Sequence, residues 1–173
     1  PLKETLSLFA SGKEFHFSLT FVEGSRFEDW LKQLSSAPYL ERLTVEQSET
    51  ELAQELGIDN GKLEGWFLPE TYAYTTHASD ISILRRAYQD MKTFLQENWE
   101  KRQANLPYKT PYEALIMASI IEKETGQPDE RAQIASVFVN RLRLGMKLQT
   151  DPTVIYGVKD RYDGNIRRSD LTD

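Results

Sequence analysis

Two carboxylates close the most apolar stretch of the chain. Glu122 and Glu124 follow Ala114, Leu115, Ile116, Met117, Ala118, Ile120 and Ile121, a run that reads as a core helix, apolar nearly all round. At about 100° per residue, Glu124 falls on the stripe of Met117, Ile120 and Ile121, and Glu122 falls with Leu115, Ala118 and Ser119. A carboxylate at such a place faces the negative end of the helix dipole and borders isoleucines, and both effects disfavour its ionisation. An acid that keeps its proton near neutral pH is a general acid, whereas an unperturbed glutamate, near 4.3, has already lost it. The opposing reading makes both residues surface groups on a fraying last turn. The pattern alone chooses neither between these readings nor between the two acids.

Two further groups of side chains suit a sugar. Gln149, Thr150, Asp151 and Tyr156 bring an amide, a hydroxyl, a carboxylate and a phenol into one short stretch. Pyranose faces are apolar and their edges carry hydroxyls, so stacking and hydrogen bonding from such a set would hold one. Asp151-Pro152 reads equally as a turn or a helix cap. Trp66, Phe67, Glu70, Tyr72 and Tyr74 form an aromatic segment, which reads as cleft wall or as core.

The residue types that are missing narrow the chemistry. Cysteine is absent, which excludes thiol nucleophiles and thiolate metal sites and decides nothing about compartment. The two histidines, His16 and His77, have no second ligand at helical or strand spacing, so neither a metal site nor a Ser-His-Asp triad is expected. Hydrolytic or lyase chemistry must then run on carboxylates, hydroxyls or lysines. A net charge of −6 opposes a nucleic-acid surface, which requires basic patches to displace phosphate counterions. The basic cluster Arg141, Arg143 and Lys147, with Arg167 and Arg168 later, reads as solvated surface. No glycine-rich phosphate loop points to a cofactor, and the longest apolar run is far below the ~20 residues that span a bilayer.

The elements that position these groups follow from periodicity. Residues 2 to 10, with Leu2, Leu6, Leu8 and Phe9, read as a short amphipathic helix closed by Gly12. Phe15, Phe17, Leu19 and Phe21 alternate with polar residues as in a half-buried strand, which puts His16 on the exposed face. Ser25 and Glu28 have capping-box spacing before a helix that ends ahead of Pro38. A helix from about Glu46 to Leu56 stops at Gly57, and Leu63 to Tyr74 is extended or looped around Pro69. Ser79 or Asp80 caps a long helix with Ile83, Leu84, Ala87, Tyr88, Met91, Phe94 and Leu95 on one face. Thr110, Pro111 and Glu113 launch the helix of the two acids, with Gly126 as its stop. Asp129 caps a last helix closed by Gly145. Helices outnumber strands and the strands lie apart from the helical run, so the class is α+β, mainly helical with a few short strands. The length, 173 residues, suits one domain or one and a half.

Three long motifs carry a resemblance. E-G-W-F-L-P-E-T-Y (64–72), M-A-S-I-I-E-K-E-T (117–125) and I-A-S-V-F-V-N-R-L-R-L-G-M-K-L-Q-T-D-P-T-V-I-Y-G (134–157) resemble the YceG-like family of endolytic murein transglycosylases. The family was formerly labelled aminodeoxychorismate lyase. The resemblance runs from about residue 15 to the end. It implies that residues 1–14 end a LysM-like region and that 15–173 form a catalytic domain, with an N-terminal membrane anchor and further catalytic sequence expected elsewhere in a longer chain. It makes Glu124 the catalytic acid and Thr125 its neighbour where many lytic transglycosylases carry serine. Substrate contacts are then expected from Thr125, Gln149, Thr150, Asp151, Tyr156, Trp66, Glu70 and Tyr72. The implied reaction cuts the β-1,4 bond between N-acetylmuramic acid and N-acetylglucosamine and leaves a 1,6-anhydro end, with no cofactor. The implied setting is the periplasmic face of the inner membrane, with glycan strands as substrate and peptidoglycan synthases as candidate partners. Other readings stay open: a hydrolase pairing Glu124 with Asp151 or Glu70, a glycan-binding module without catalysis, and a lyase, which would need a pyridoxal phosphate site.

Overall fold

The structure, a computed structural model, describes residues 2–12, 14–59 and 61–171. It comprises two compact units, Pro1–Thr93 and Phe94–Asp173. Among the described residues there are seven α-helices and one two-stranded antiparallel sheet, the expected α+β class.

In the first unit, α1 (Leu2–Ser11) ends at Gly12, whose φ of +61° is the left-handed step that lets the chain leave the helix. Leu2 and Leu6 are exposed, while the side chains of Leu8 and Phe9 lie outside the described residues. β1 (Phe17–Thr20) pairs with β2 (Thr71–Tyr74), Phe17 opposite Tyr74 and Leu19 opposite Tyr72. The two-residue period therefore turns all four of these apolar side chains toward the core. His16 is exposed as the alternation requires, but so is Phe15, which precedes the strand.

α2 (Phe27–Ser36) does not use the Ser25 capping box. Its N-cap position is Arg26, without a side-chain cap, and the Phe27 N–H donates to the Glu64 carboxylate at 3.2 Å. Ser25 instead accepts from the Trp30 indole N–H at 2.9 Å and donates to the Val22 carbonyl. That fixes Trp30 flat against Phe21, with ring centroids 3.8 Å apart. α3 (Glu49–Leu56) starts later than Glu46 because Ser48 and Glu51 form the reciprocal box: the Ser48 N–H donates to the Glu51 carboxylate at 2.8 Å and the Glu51 N–H returns to Ser48 Oγ. The Ser48 hydroxyl, then its N–H, hold the Glu51 carboxyl below its ordinary value. Gly57, left-handed, ends α3 as expected.

α4 (Asp80–Glu100) is capped by Ser79, whose hydroxyl accepts from the Ser82 N–H. Asp80, only 2% exposed, ties the helix start to the loop between α2 and α3. Its carboxylate accepts from the N–H groups of Leu43, Thr44 and Ile81 and from the Thr44 hydroxyl, the last at 2.6 Å. Ile81, Ile83, Leu84, Ala87, Tyr88 and Met91 are buried. Phe94 and Leu95 continue the stripe past the core, so Phe94 is exposed and Leu95 half-buried.

The second unit holds α5 (Pro111–Glu124), α6 (Pro128–Arg143), α7 (Asp151–Gly157) and a 3₁₀ turn, Arg168–Leu171. Thr110 caps α5 by accepting from the Glu113 N–H, while the Glu113 carboxylate reaches back to the Lys109 N–H, one residue beyond the usual box. The helix stops at Thr125, which is extended, rather than at Gly126. Gln127, not Asp129, takes the N-cap position of α6 because Pro128 begins it. The core is Met117, Ile120 and Phe138, with Tyr108, Ile121, Ile134 and Leu148 packed around it. α5 is therefore not buried all round: α6 and α7 cover one stripe, and Ile116, Ala118 and Ser119 are exposed.

Two outcomes follow from this framework. Asp80→Ala strands three N–H groups and should lower unfolding free energy by about 3 kcal/mol, read by urea denaturation; a loss below about 1 kcal/mol would mean water replaces the carboxylate. Burial first, then the charges of Asp90 and Glu70, push the Tyr72 phenol well up. The folded state thus resists phenolate formation, so stability is intact below the unfolded phenol value of about 10 and falls as pH rises beyond it. Urea midpoints between pH 8 and 11 should fall less steeply in Tyr72→Phe than in the parent.

Candidate active site

The two acids of α5 lie about 200° apart around the helix and meet different partners. Glu122 forms an ion pair with the Arg131 guanidinium of α6 at 2.9 Å. Glu124 accepts a hydrogen bond from the Thr150 hydroxyl, and among the described residues no other side chain bonds its carboxylate. One acid is matched by a cation and the other by a neutral group that donates to a carboxylate or accepts from a carboxylic acid. Glu124 continues the stripe of Met117 and Ile120, but the core ends one turn earlier, so the residue is exposed. The apolar enclosure expected from the stripe is absent, and Thr150 takes its place as the feature that holds the acid.

Thr150 is itself 3% exposed. It occupies the N-cap position of α7, and its carbonyl accepts from the Thr153 hydroxyl at 2.8 Å. Asp151 and Pro152 begin that helix, so of the two readings of the pair the helix start is the one observed. Asp151 and Tyr156 are both exposed, and five residues of helix separate them by about 140°. Lys159 sits over the Tyr156 ring with its ammonium 5.3 Å from the centroid. Gln149 is exposed with φ +55°, a left-handed conformation that costs a non-glycine residue about 1 kcal/mol.

Arg141, read from the sequence as a solvated charge, donates to the Leu148 carbonyl one residue before Gln149. Arg143 donates to the Asn105 carbonyl at 3.1 Å. No periodic signal marks these bonds, because each joins a helix to an irregular loop. Arg131 was equally silent in the sequence, since its pairing with Glu122 depends on how α5 and α6 pack.

Thr125 is buried and fully engaged: its hydroxyl donates to the Glu130 carboxylate at 2.8 Å and accepts from the Gln127 N–H at 3.0 Å. These bonds brace the α5–α6 turn. In the first unit, Tyr72 is a core residue, 2% exposed, with its hydroxyl on the Leu68 carbonyl at 2.8 Å. Trp66 is half-buried with its ring edge-on to Tyr88. Glu70 is exposed, and its carboxylate accepts from the Thr71 N–H. Among the described residues no group of three or more His, Cys, Asp or Glu side chains is arranged to hold a metal ion.

The model of the YceG-like family matches residues 1–173. The chain belongs to the YceG-like family. It is 37% identical over 107 residues to an endolytic murein transglycosylase of Bacillus subtilis (strain 168), a match covering 57% of this chain and 28% of the relative. It is 31% identical over 97 residues to an endolytic murein transglycosylase of Streptococcus pneumoniae serotype 2 (strain D39 / NCTC 7466), covering 55% of this chain and 17% of the relative. The matches thus span under a third of each curated relative. The crystal structure of a YceG-like protein of Listeria monocytogenes shares the fold, with a TM-score of 0.59 and 22% identity over 99% of this chain and 61% of that one.

Gln149 offers a direct test of the loop in this YceG-like chain. Gln149→Gly removes the left-handed cost and should raise unfolding free energy by about 0.5–1 kcal/mol in thermal or urea denaturation. A fall instead would mean that the glutamine side chain contributes more than the strain it carries.

Proposed function

We propose that the chain carries the acid of an endolytic peptidoglycan lytic transglycosylase and that Glu124 is that acid. The observation that carries the reading is its partner: Glu124 is held by a neutral hydroxyl, whereas Glu122 is held by a guanidinium. A group that must donate a proton and then take one back works best with a partner that tolerates both states. The names of the relatives agree with this reading.

The reaction proceeds in two proton transfers. Glu124, as the carboxylic acid, protonates the bridging oxygen as the bond from muramyl C1 breaks, releasing the N-acetylglucosamine hydroxyl. The resulting carboxylate then accepts the proton of the muramyl C6 hydroxyl as that oxygen attacks C1, closing the 1,6-anhydro ring and restoring the acid. No water is consumed and one carboxyl group is sufficient, unlike a two-carboxylate hydrolase. Gln149, Asp151 and Tyr156, exposed beside Thr150 in the chain, are the proposed glycan contacts of the second unit. Trp66 and Glu70 are those of the first. Thr125 and Tyr72, with their hydroxyls engaged internally, serve the framework. The proposed setting is outside the cytoplasmic membrane, where peptidoglycan and its synthases lie; no helix among the described residues is long and apolar enough to cross a membrane.

The exposure of Glu124 favours a second reading, a glycan-binding module without catalysis. Mass spectrometry of uncrosslinked glycan strands treated with the full-length protein separates the two. Anhydromuramyl ends are expected, falling about 10²- to 10⁴-fold in rate for Glu124→Gln and largely retained for Glu122→Gln. Reducing ends would make the protein a hydrolase with a second carboxylate, and uncut strands that still bind would leave the binding module.

A further inference from the structure

The loop that delivers Thr150 to Glu124 is short and externally held. Residues 144–150 leave α6 through Gly145, φ +67°, and enter α7 at Asp151. Between them the Leu148 carbonyl is held by the Arg141 guanidinium, Gln149 is left-handed, and Thr150 follows at once. Thr150 is buried, so its hydroxyl has little freedom to find Glu124 by another route once the backbone before it shifts. Leu148 packs against the Met117, Ile120 and Phe138 core, which seats the loop on the same stripe that presents Glu124. The carbonyl that Arg141 holds is thus one residue from the strained position and two from the hydroxyl that holds the acid.

We propose that Arg141 and Thr150 form one positioning device: Arg141 clamps the Leu148 carbonyl, the clamp holds Gln149 left-handed, and Thr150 thereby orients the Glu124 carboxylate. This rests on Glu124 being the acid. Thr150 acts in this device on the acid rather than on the sugar. Arg141 touches neither sugar nor acid and acts through the backbone. A hydroxyl suits the task because it donates to the carboxylate and accepts from the acid, so orientation survives both proton transfers. A misplaced acid loses rate rather than affinity, because proton transfer depends steeply on geometry while the glycan is held by other groups.

The test is steady-state kinetics of the full-length protein on uncrosslinked glycan strands, with Thr150→Val, Thr150→Ser, Arg141→Met, Arg141→Lys, the Arg141→Met/Thr150→Val double variant and Glu124→Gln. Thr150→Val should lower kcat by about 10- to 100-fold with KM nearly unchanged, and Thr150→Ser should restore most of it. Arg141→Met should lower kcat by a similar factor, and the double variant should be no slower than Thr150→Val alone, since both changes remove one device. Losses that multiply in the double variant, a change confined to KM, or an Arg141→Met enzyme with full kcat would each overturn the proposal. Circular dichroism and melting curves check folding. If Arg141→Met does not fold, Arg141→Lys, which keeps a donor for the carbonyl, should show a partial loss that disappears in the Thr150→Val background, and an undiminished loss there would refute the coupling. Inactive Glu124→Gln beside fully active Arg141→Met would sink this proposal alone, whereas active Glu124→Gln would sink the assignment of the acid and this proposal with it.

Discussion

The packing of Met117 and Ile120 against Phe138 sets the rotation of α5, and everything proposed for the second unit depends on that rotation. A helix with apolar residues on every side has no inherent preference for which stripe to bury, so its neighbours decide. Once α6 and α7 have taken the Met117–Ile120 stripe, the residues four and seven positions on share it, and Glu124 is carried to the end of the core where Thr150 stands. The same rotation delivers Glu122 to Arg131.

The sequence made the class and most elements legible where periodicity was strong and stop signals were local. Gly12, Gly57 and Gly145 end or follow helices as expected, and the alternation of Phe17 and Leu19 identified β1. It misled where a local motif competed with a distant group. Ser25 had the spacing of a cap, yet Glu64, far along the chain, reaches the helix start and frees Ser25 for the Trp30 indole. Thr125 and Tyr72 are expected substrate contacts from the resemblance, and periodicity does not reveal that both are buried with hydroxyls bonded inside the protein.

For the site, the local pattern pointed to the last turn of α5 and left two acids standing. The distinction between them lies in their partners, a relation between side chains 9 and 26 residues distant in sequence, which no window of local pattern contains. The expectation of an apolar enclosure failed for a geometric reason: the stripe continues to Glu124, but the neighbouring helices do not cover it that far. The control of Glu124 comes instead from a single hydrogen bond on a loop, a feature invisible to periodicity.

The buried Thr125 gives the acid a particular kind of freedom. With its hydroxyl bonded to both Glu130 and the Gln127 N–H, the turn after Glu124 is braced at the residue next to the acid. The peptide on either side of Glu124 therefore has little room to move, and what mobility the carboxylate keeps resides in its own side-chain torsions. Any reorganisation entropy in the proposed proton transfers is then a matter of three torsion angles of one glutamate rather than of a mobile loop. An acid so mounted is a short arm on a rigid post, tethered at its tip by Thr150.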